Sequence, residues 1–261
     1  MPKTDGNAPR ALALMPHPDD IEILCAGTLL RLAEQGCEVY CATMTPGDKG
    51  SASLSRAEIA AVRRAEAAMA AETIGARGYA CLEFEDLAIA FDNPSRKRVA
   101  AHLRRIDPQI VITTPPVDYM FDHEVTSRLV RDACFNAAVP NYDCETTDPP
   151  RSGIPYLYYS DPIGGQDLFG VAAPISAAID VSAVIDRKAA ALACHASQRE
   201  WLKVQHGLDD YIDSMRRWGA QRGARIGVAY AECFRQHVGH PHPTDDLLTN
   251  LAGGPAVTSR P

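Results

Sequence analysis

Arg10-Ala11-Leu12-Ala13-Leu14-Met15-Pro16-His17-Pro18-Asp19-Asp20 is the stretch that decides how this chain is read. Its first six residues are a short apolar run closed by prolines, which predicts a buried β-strand rather than a helix. The residues that follow place an imidazole and two adjacent carboxylates in the loop at that strand's end, where open α/β sheets bind their ligands. A neutral imidazole and a carboxylate are both good ligands for zinc. Such a loop can aim His17 and Asp20 at one point and leave Asp19 free to accept a proton. Taken alone the motif is also ordinary turn chemistry, because Pro-Asp pairs favour turns and Asp favours helix N-caps.

A second cluster shifts that balance. Ile110-Val111-Ile112-Thr113-Thr114 predicts another buried strand, and it runs into Pro115-Pro116-Val117-Asp118-Tyr119-Met120-Phe121-Asp122-His123-Glu124, which opens a helical segment over 125–138. His123 thus also lies at a strand's carboxyl end. If the two strands are neighbours, His17, Asp20 and His123 converge as three protein ligands and leave a fourth zinc position open, as in catalytic sites.

Between and beyond these clusters, strand and helix signals alternate, the pattern of a doubly wound α/β protein: a Rossmann-like, mostly parallel β-sheet flanked by helices. Helices are expected over 21–35, 55–74, 94–106, 184–205 and 208–222, and further strands over 38–45, 80–84, 154–160 and 177–181. The basic face of the 94–106 helix is read as solvated. Residues 139–155 are too rich in turn formers for a regular element, and a loop of that length often serves as a lid or contact surface. One domain over 1–246 and a loose tail over 247–261 are expected.

On these residues the chain resembles the LmbE-like, or PIG-L-type, N-deacetylases. The resemblance is carried by His17-Pro18-Asp19-Asp20-Ile21-Glu22 with Gly27-Thr28-Leu29, by Thr45-Pro46-Gly47-Asp48-Lys49-Gly50, by Val62-Arg63-Arg64-Ala65-Glu66, and by Asp122-His123. Lys188 to Gln198 and Tyr230-Ala231-Glu232-Cys233-Phe234 resemble C-terminal stretches of the bacterial thiol-biosynthesis deacetylases. The resemblance implies a zinc enzyme that removes acetyl groups from N-acetylglucosamine-containing substrates, with a related amidase activity on thiol conjugates as the runner-up. It makes His17, Asp20 and His123 the zinc ligands, Asp19 the general base, and Arg63 and Asp122 the substrate-binding residues. It also implies a homo-oligomer, with hexamers common. The bland alternative for Arg63 is a surface helix residue paired with Glu58 or Glu66.

One departure bears on mechanism. Many relatives carry a His where this chain has Met120, and that His stabilises the oxyanion or protonates the leaving amine. Tyr119 and the tail histidines His237, His240 and His242 are the candidates to replace it, with His240 the chosen catalytic candidate, or else Asp19 returns the proton it took. His195 is read as a hydrogen-bonded helix residue. The leaving-group side of the site is expected to be shaped by the 139–155 loop and the tail.

A chain of 261 residues with 46% hydrophobic content can bury one substantial core, and a formal charge of −7 argues against nucleic acid or an anionic membrane as the main partner. A small-molecule substrate is expected. The N-terminus lacks the apolar core of a signal peptide, no apolar run is long enough to span a membrane, and the eight cysteines form no C-x-x-C pair, so a cytoplasmic protein with free thiols is expected. Two rival classes fit the sequence less well. A dinucleotide-binding protein would need Gly-x-Gly-x-x-Gly after the first strand, which is absent. A non-catalytic metal scaffold fits Met120 but gives no reason for Asp19.

Overall fold

The opening strand is β1, Arg10–Met15, and it lies inside a seven-stranded sheet in a computed structural model that describes residues 8–206 and 211–253. The others are β2 (Glu38–Thr43), β3 (Gly78–Cys81), β4 (Ile110–Thr113), β5 (Tyr156–Ser160), β6 (Ala177–Asp180) and β7 (Ala231–Gln236). Their order is β3-β2-β1-β4-β5-β7-β6, and β7 alone runs antiparallel to its neighbours. The chain winds outward from β1 in both directions, so the loops leaving β1 and β4 diverge to opposite faces and open a crevice between them. That is the neighbour relation the two sequence clusters require.

Alternation along β1 divides the core. Leu12 and Leu14 pack with Val111, Leu103 and Leu129 on one face, and Ala11, Ala13 and Met15 pack with Leu29, Leu30 and Ile179 on the other. The helices on the two faces are α1 (Asp20–Leu24), α2 (Ala26–Glu34), α3 (Arg56–Ile74), α4 (Asn93–Ile106), α5 (Phe121–Asn136), α6 (Ile185–Ala193), α7 (Ala196–His206), α8 (Tyr211–Ala224) and α9 (Leu247–Ala252). All eight cysteines are free thiols. Among the described residues no helix is long and apolar enough to cross a membrane.

The structure departs from the sequence expectations in five places. The helix expected over 21–35 breaks at Cys25 (φ −148°) into α1 and α2. The cause lies far along the chain: the buried Glu232 carboxylate of β7 accepts the backbone N–H of Gly27 (2.9 Å) and Thr28 (2.6 Å), capping α2 where no local side chain does. Lys188 of α6 donates to Glu232 (2.5 Å) and to the carbonyl of Ile23 (2.9 Å), so one buried ion pair joins the end of α1, the start of α2, α6 and β7. Gly27 is required here, since a Cβ would lie 2.7 Å from Val181 Cγ1.

The helix expected over 184–205 likewise breaks at Cys194-His195 into α6 and α7, where Glu66 of α3 accepts from Ser197 N (2.9 Å) and Oγ (2.6 Å). β7 was not expected as a strand, because its Glu232 is charged and yet only 2% exposed. The loose tail expected from 247 onward is a helix in its first part: α9 buries Leu248 and Ala252, while 254–261 lie outside the described residues. The basic face of α4 is largely engaged, with Arg96 forked on Asp132 (2.8 and 3.0 Å) and Arg104 on the carbonyls of Ala137, Val139 and Tyr142.

Candidate active site

The loop after β1 turns sharply at Asp19, whose φ of 102° is unusual for a residue with a Cβ and forces its carboxylate away from that of Asp20. Asp20 Oδ2 accepts the backbone N–H of His17 (2.9 Å) and lies 3.2 Å from His17 Nδ1 and 3.6 Å from His123 Nε2. One ligand atom each from His17, Asp20 and His123 falls within a 4.8 Å cluster. His123, in the first turn of α5, is fully buried, and its Nε2 has no hydrogen-bond partner. Two imidazoles, one carboxylate and an unpartnered buried nitrogen aimed at them are the donor set a zinc ion takes.

A ring of carboxylates orients these imidazoles from behind. Asp118 Oδ2 lies 3.1 Å from His123 Nδ1, and Asp86 and Asp122 each lie 3.2 Å from His17 Nε2. Each carboxylate is itself held: Asp118 by Tyr119 N (2.7 Å), Asp122 by Leu87 N (2.8 Å), and Asp86 by Lys49 N (3.4 Å). Carboxylates so placed fix the ring that faces a metal and raise its basicity. Burial alone would lower the pKa of His17, but Asp122, Asp20 and Asp86 outweigh it and hold it well above the ordinary histidine value. His123 is raised in the same way, burial being outweighed by Asp20 and Asp118. Burial would raise Asp20, yet His123 and His17 hold it low.

Asp19 sits apart from this set. Tyr211 donates a short hydrogen bond to its Oδ2, and burial together with the charge of Asp20 pushes its pKa up to about 6, with His195, Tyr211 and Arg63 pulling the other way. A carboxylate poised near neutrality can take and return a proton.

Both carboxylates face a cavity of about 460 Å³. Arg63 enters it from α3, whose buried stripe of Ile59, Ala60, Arg63, Ala67 and Ala70 sets its direction. The guanidinium donates to the carbonyl of Gly50 (3.0 Å) and to Gln198, and its Nε is unpartnered. The surface-pair alternative for Arg63 fails, since Glu58 closes the capping box with Ser55 and Glu66 holds Ser197. Glycines allow the loop after β2 to wrap it: a Cβ on Gly47 (φ 66°) would lie 2.6 Å from its Nη1, and one on Gly50 would collide with its Nη2.

Of the other expected site residues, Tyr119 lines the cavity with its ring edge-on to His123 (5.3 Å), and Met120 lines it beside Tyr119. Asp122 does not line it. It is buried behind His17, so its place is orienting the imidazole rather than touching substrate. His240 is exposed and far from the cluster. The chain leaves β7 beside the start of β5, where His237 N bonds Leu157 O (2.8 Å) and His242 Nδ1 lies 3.1 Å from Pro155 O, at the opposite end of the sheet from His17 and His123. Antiparallel β7 carries the tail histidines away from the site of their own chain. His195 is buried with Nε2 3.1 Å from Glu22, behind Asp19. Neither the 139–155 loop nor the described tail contributes to the cavity wall, which α7 and α8 supply instead through Gln198, Trp201, Leu202, Tyr211, Ser214 and Trp218.

Sequence reasoning missed Asp86, Asp118 and Tyr211. Asp118 and Asp86 follow β4 and β3 in strand-end loops, a signal that was present. Tyr211 carries none, being 192 residues from its partner.

The family model described as GlcNAc-PI de-N-acetylase, PIG-L, matches residues 12–134, which run from β1 through most of α5. The diacetylchitobiose deacetylase of Thermococcus kodakarensis is 27% identical over 201 residues, covering 72% of this chain and 70% of that protein. The 4-oxalmesaconate hydratase of Pseudomonas putida is 25% identical over 238 residues, covering 85% and 84%. The solved N,N'-diacetylchitobiose deacetylase of Pyrococcus horikoshii superposes with a TM-score of 0.75 at 27% identity, over 92% of this chain and 89% of that one. Motifs, sheet and similarity agree: this chain is an enzyme whose residues 12–134 match the PIG-L (LmbE-like) family.

Proposed function

We propose that the protein is a zinc-dependent N-deacetylase acting on an N-acetylated amino sugar or its conjugate. One observation carries the reading: an imidazole, carboxylate and imidazole set with an unpartnered inward nitrogen stands beside a second, separately held carboxylate at a substrate-sized cavity. His17, Asp20 and His123 would hold the zinc, which when bound would supply Lewis acidity toward the amide carbonyl and lower the pKa of water to roughly 7. Asp19 takes a proton from the attacking water as its oxygen bonds to the amide carbon. It then gives that proton to the nitrogen as the C–N bond breaks, so acetate and a free amine leave. Met120 can perform neither transfer, and a pKa near 6 lets Asp19 perform both. Tyr119, which lines the cavity, donates to the carbonyl oxygen as charge develops there in this reading. Arg63 binds a hydroxyl or an anionic substituent through its fixed fork.

The Pseudomonas relative supports a second reading, addition of water to an unsaturated acid, because its match covers more of this chain than that of the Thermococcus deacetylase (85% against 72%) and because hydration needs no acid for a leaving amine. One experiment separates the two. Zinc-loaded protein is assayed for acetate release from N-acetylated amino sugars and for loss of absorbance from conjugated unsaturated diacids. The deacetylase reading expects acetate release that falls at least about a hundredfold in Asp19→Asn with zinc retained, and loss of both zinc and activity in His123→Ala. A zinc-replete wild type that spares every acetamide but hydrates a diacid overturns it.

A further inference from the structure

The chain has two tryptophans, and both line the active-site cavity, Trp201 from α7 and Trp218 from α8. Both indoles are half-buried and line the cavity, and Trp218 also packs against the core at its other side. They come from the two helices that follow the break at His195, and Ile163 and Leu202 extend the same apolar wall. The polar lining of the same cavity is His17, Asp19, Asp20, Lys49, Arg63 and Asp86, with Gln198 of α7 bonded to Arg63 and Tyr211 of α8 to Asp19. Trp218 also borders a neighbouring cavity of about 190 Å³, so open space continues past its indole.

A cavity with a charged floor and an aromatic wall holds the reacting group on one side and a flat group on the other. Stacking on a broad indole face is how such a wall contributes binding, beyond the area it covers. Resting on the deacetylase reading for the reacting end, we infer that the leaving-group subsite takes a ring with an apolar face, a second pyranose or an aryl aglycone, and that Trp201 and Trp218 determine that preference. The acetamide then reaches the zinc ligands and Asp19 while the ring lies along α7 and α8. A substrate lacking the ring leaves the indoles facing water.

Calorimetry on the zinc-loaded protein tests this without turnover, using amines that deacetylation would release: methyl 2-amino-2-deoxyglucoside, its phenyl counterpart, and the fully deacetylated disaccharide chitobiose. The expected result is binding of the phenyl glycoside or the disaccharide about tenfold tighter than the methyl glycoside. A phenyl preference identifies an aryl aglycone and a disaccharide preference a second sugar. In Trp201→Leu or Trp218→Leu that advantage shrinks to about twofold or less, whereas Trp218→Phe, which keeps an aromatic face, retains part of it. Equal affinity for all three ligands, no binding of any, or an advantage that survives both leucine variants overturns the inference. Acetate release from the methyl glycoside of N-acetylglucosamine is followed in parallel. Acetate release with no ring preference keeps the deacetylase and removes the subsite; ring preference without acetate release keeps the subsite and removes the deacetylase.

Discussion

At the level of single residues, the site is built by denying side chains their ordinary partners. Arg63 points inward on a helix whose other buried positions are apolar, and its guanidinium is enclosed by backbone that only glycine can bring so close. A Cβ at position 50 would strike the far end of a flexible side chain rather than backbone, so the protein can accommodate it only by turning Arg63 aside. Gly50→Ala is therefore expected to change stability by less than about 1 kcal/mol while raising KM roughly tenfold through the lost charge-assisted contact. Steady-state kinetics and a thermal melt on the same preparation check it. A fall in kcat with KM unchanged would place Arg63 in the chemical step instead of in binding.

Among the elements, what was legible in the sequence is what is local. β1, β2, β4 and α3 announce themselves by apolar period, glycine and capping, as Ser55 and Glu58 do at the start of α3. His17 and Asp20 were legible for the same reason, following β1 within five residues, and His123 because it opens the helix that follows β4. The breaks at Cys25 and His195 were not, because the groups that impose them, Glu232 and Glu66, are supplied by distant parts of the chain. β7 was hidden by the charge it buries. That charge gives a sharp expectation. Lys188→Met leaves Glu232 buried without its cation and should cost about 3–5 kcal/mol in chemical denaturation. Adding Glu232→Gln removes the stranded charge while an amide oxygen still accepts from α2, so the double variant should recover much of the loss. If the two losses simply add, the Lys188–Glu232 pair is not the coupled unit that its 2.5 Å contact describes.

Across the whole molecule, the two faces of the sheet do different work. The face under α1, α2 and α6 carries the buried polar network that shapes the active-site loop, and the face under α4 and α5 is a largely apolar core with an imidazole set into its edge. His102 of α4 is 8% exposed, its Nε2 has no partner, and burial, helped by the nearby Arg105 charge, pushes its pKa down to about 4. In the unfolded chain the same imidazole titrates near 6.5. Below about pH 6.5 the unfolded state therefore takes up a proton that the folded state refuses until about pH 4. The folded-state pKa is the lower of the two, so this contribution to stability is complete above the unfolded value and is lost as pH falls through the window from 6.5 to 4, by roughly 3 kcal/mol in all. Other groups titrate in the same range, but a variant that removes only this imidazole isolates it. Urea unfolding at pH 7.5 and at pH 4.5 should show a smaller drop for His102→Leu than for the wild type, by roughly 2–3 kcal/mol. Parallel drops in the two proteins would mean that His102 accepts its proton in the folded state as readily as in water, and that the edge of the core under α4 admits solvent.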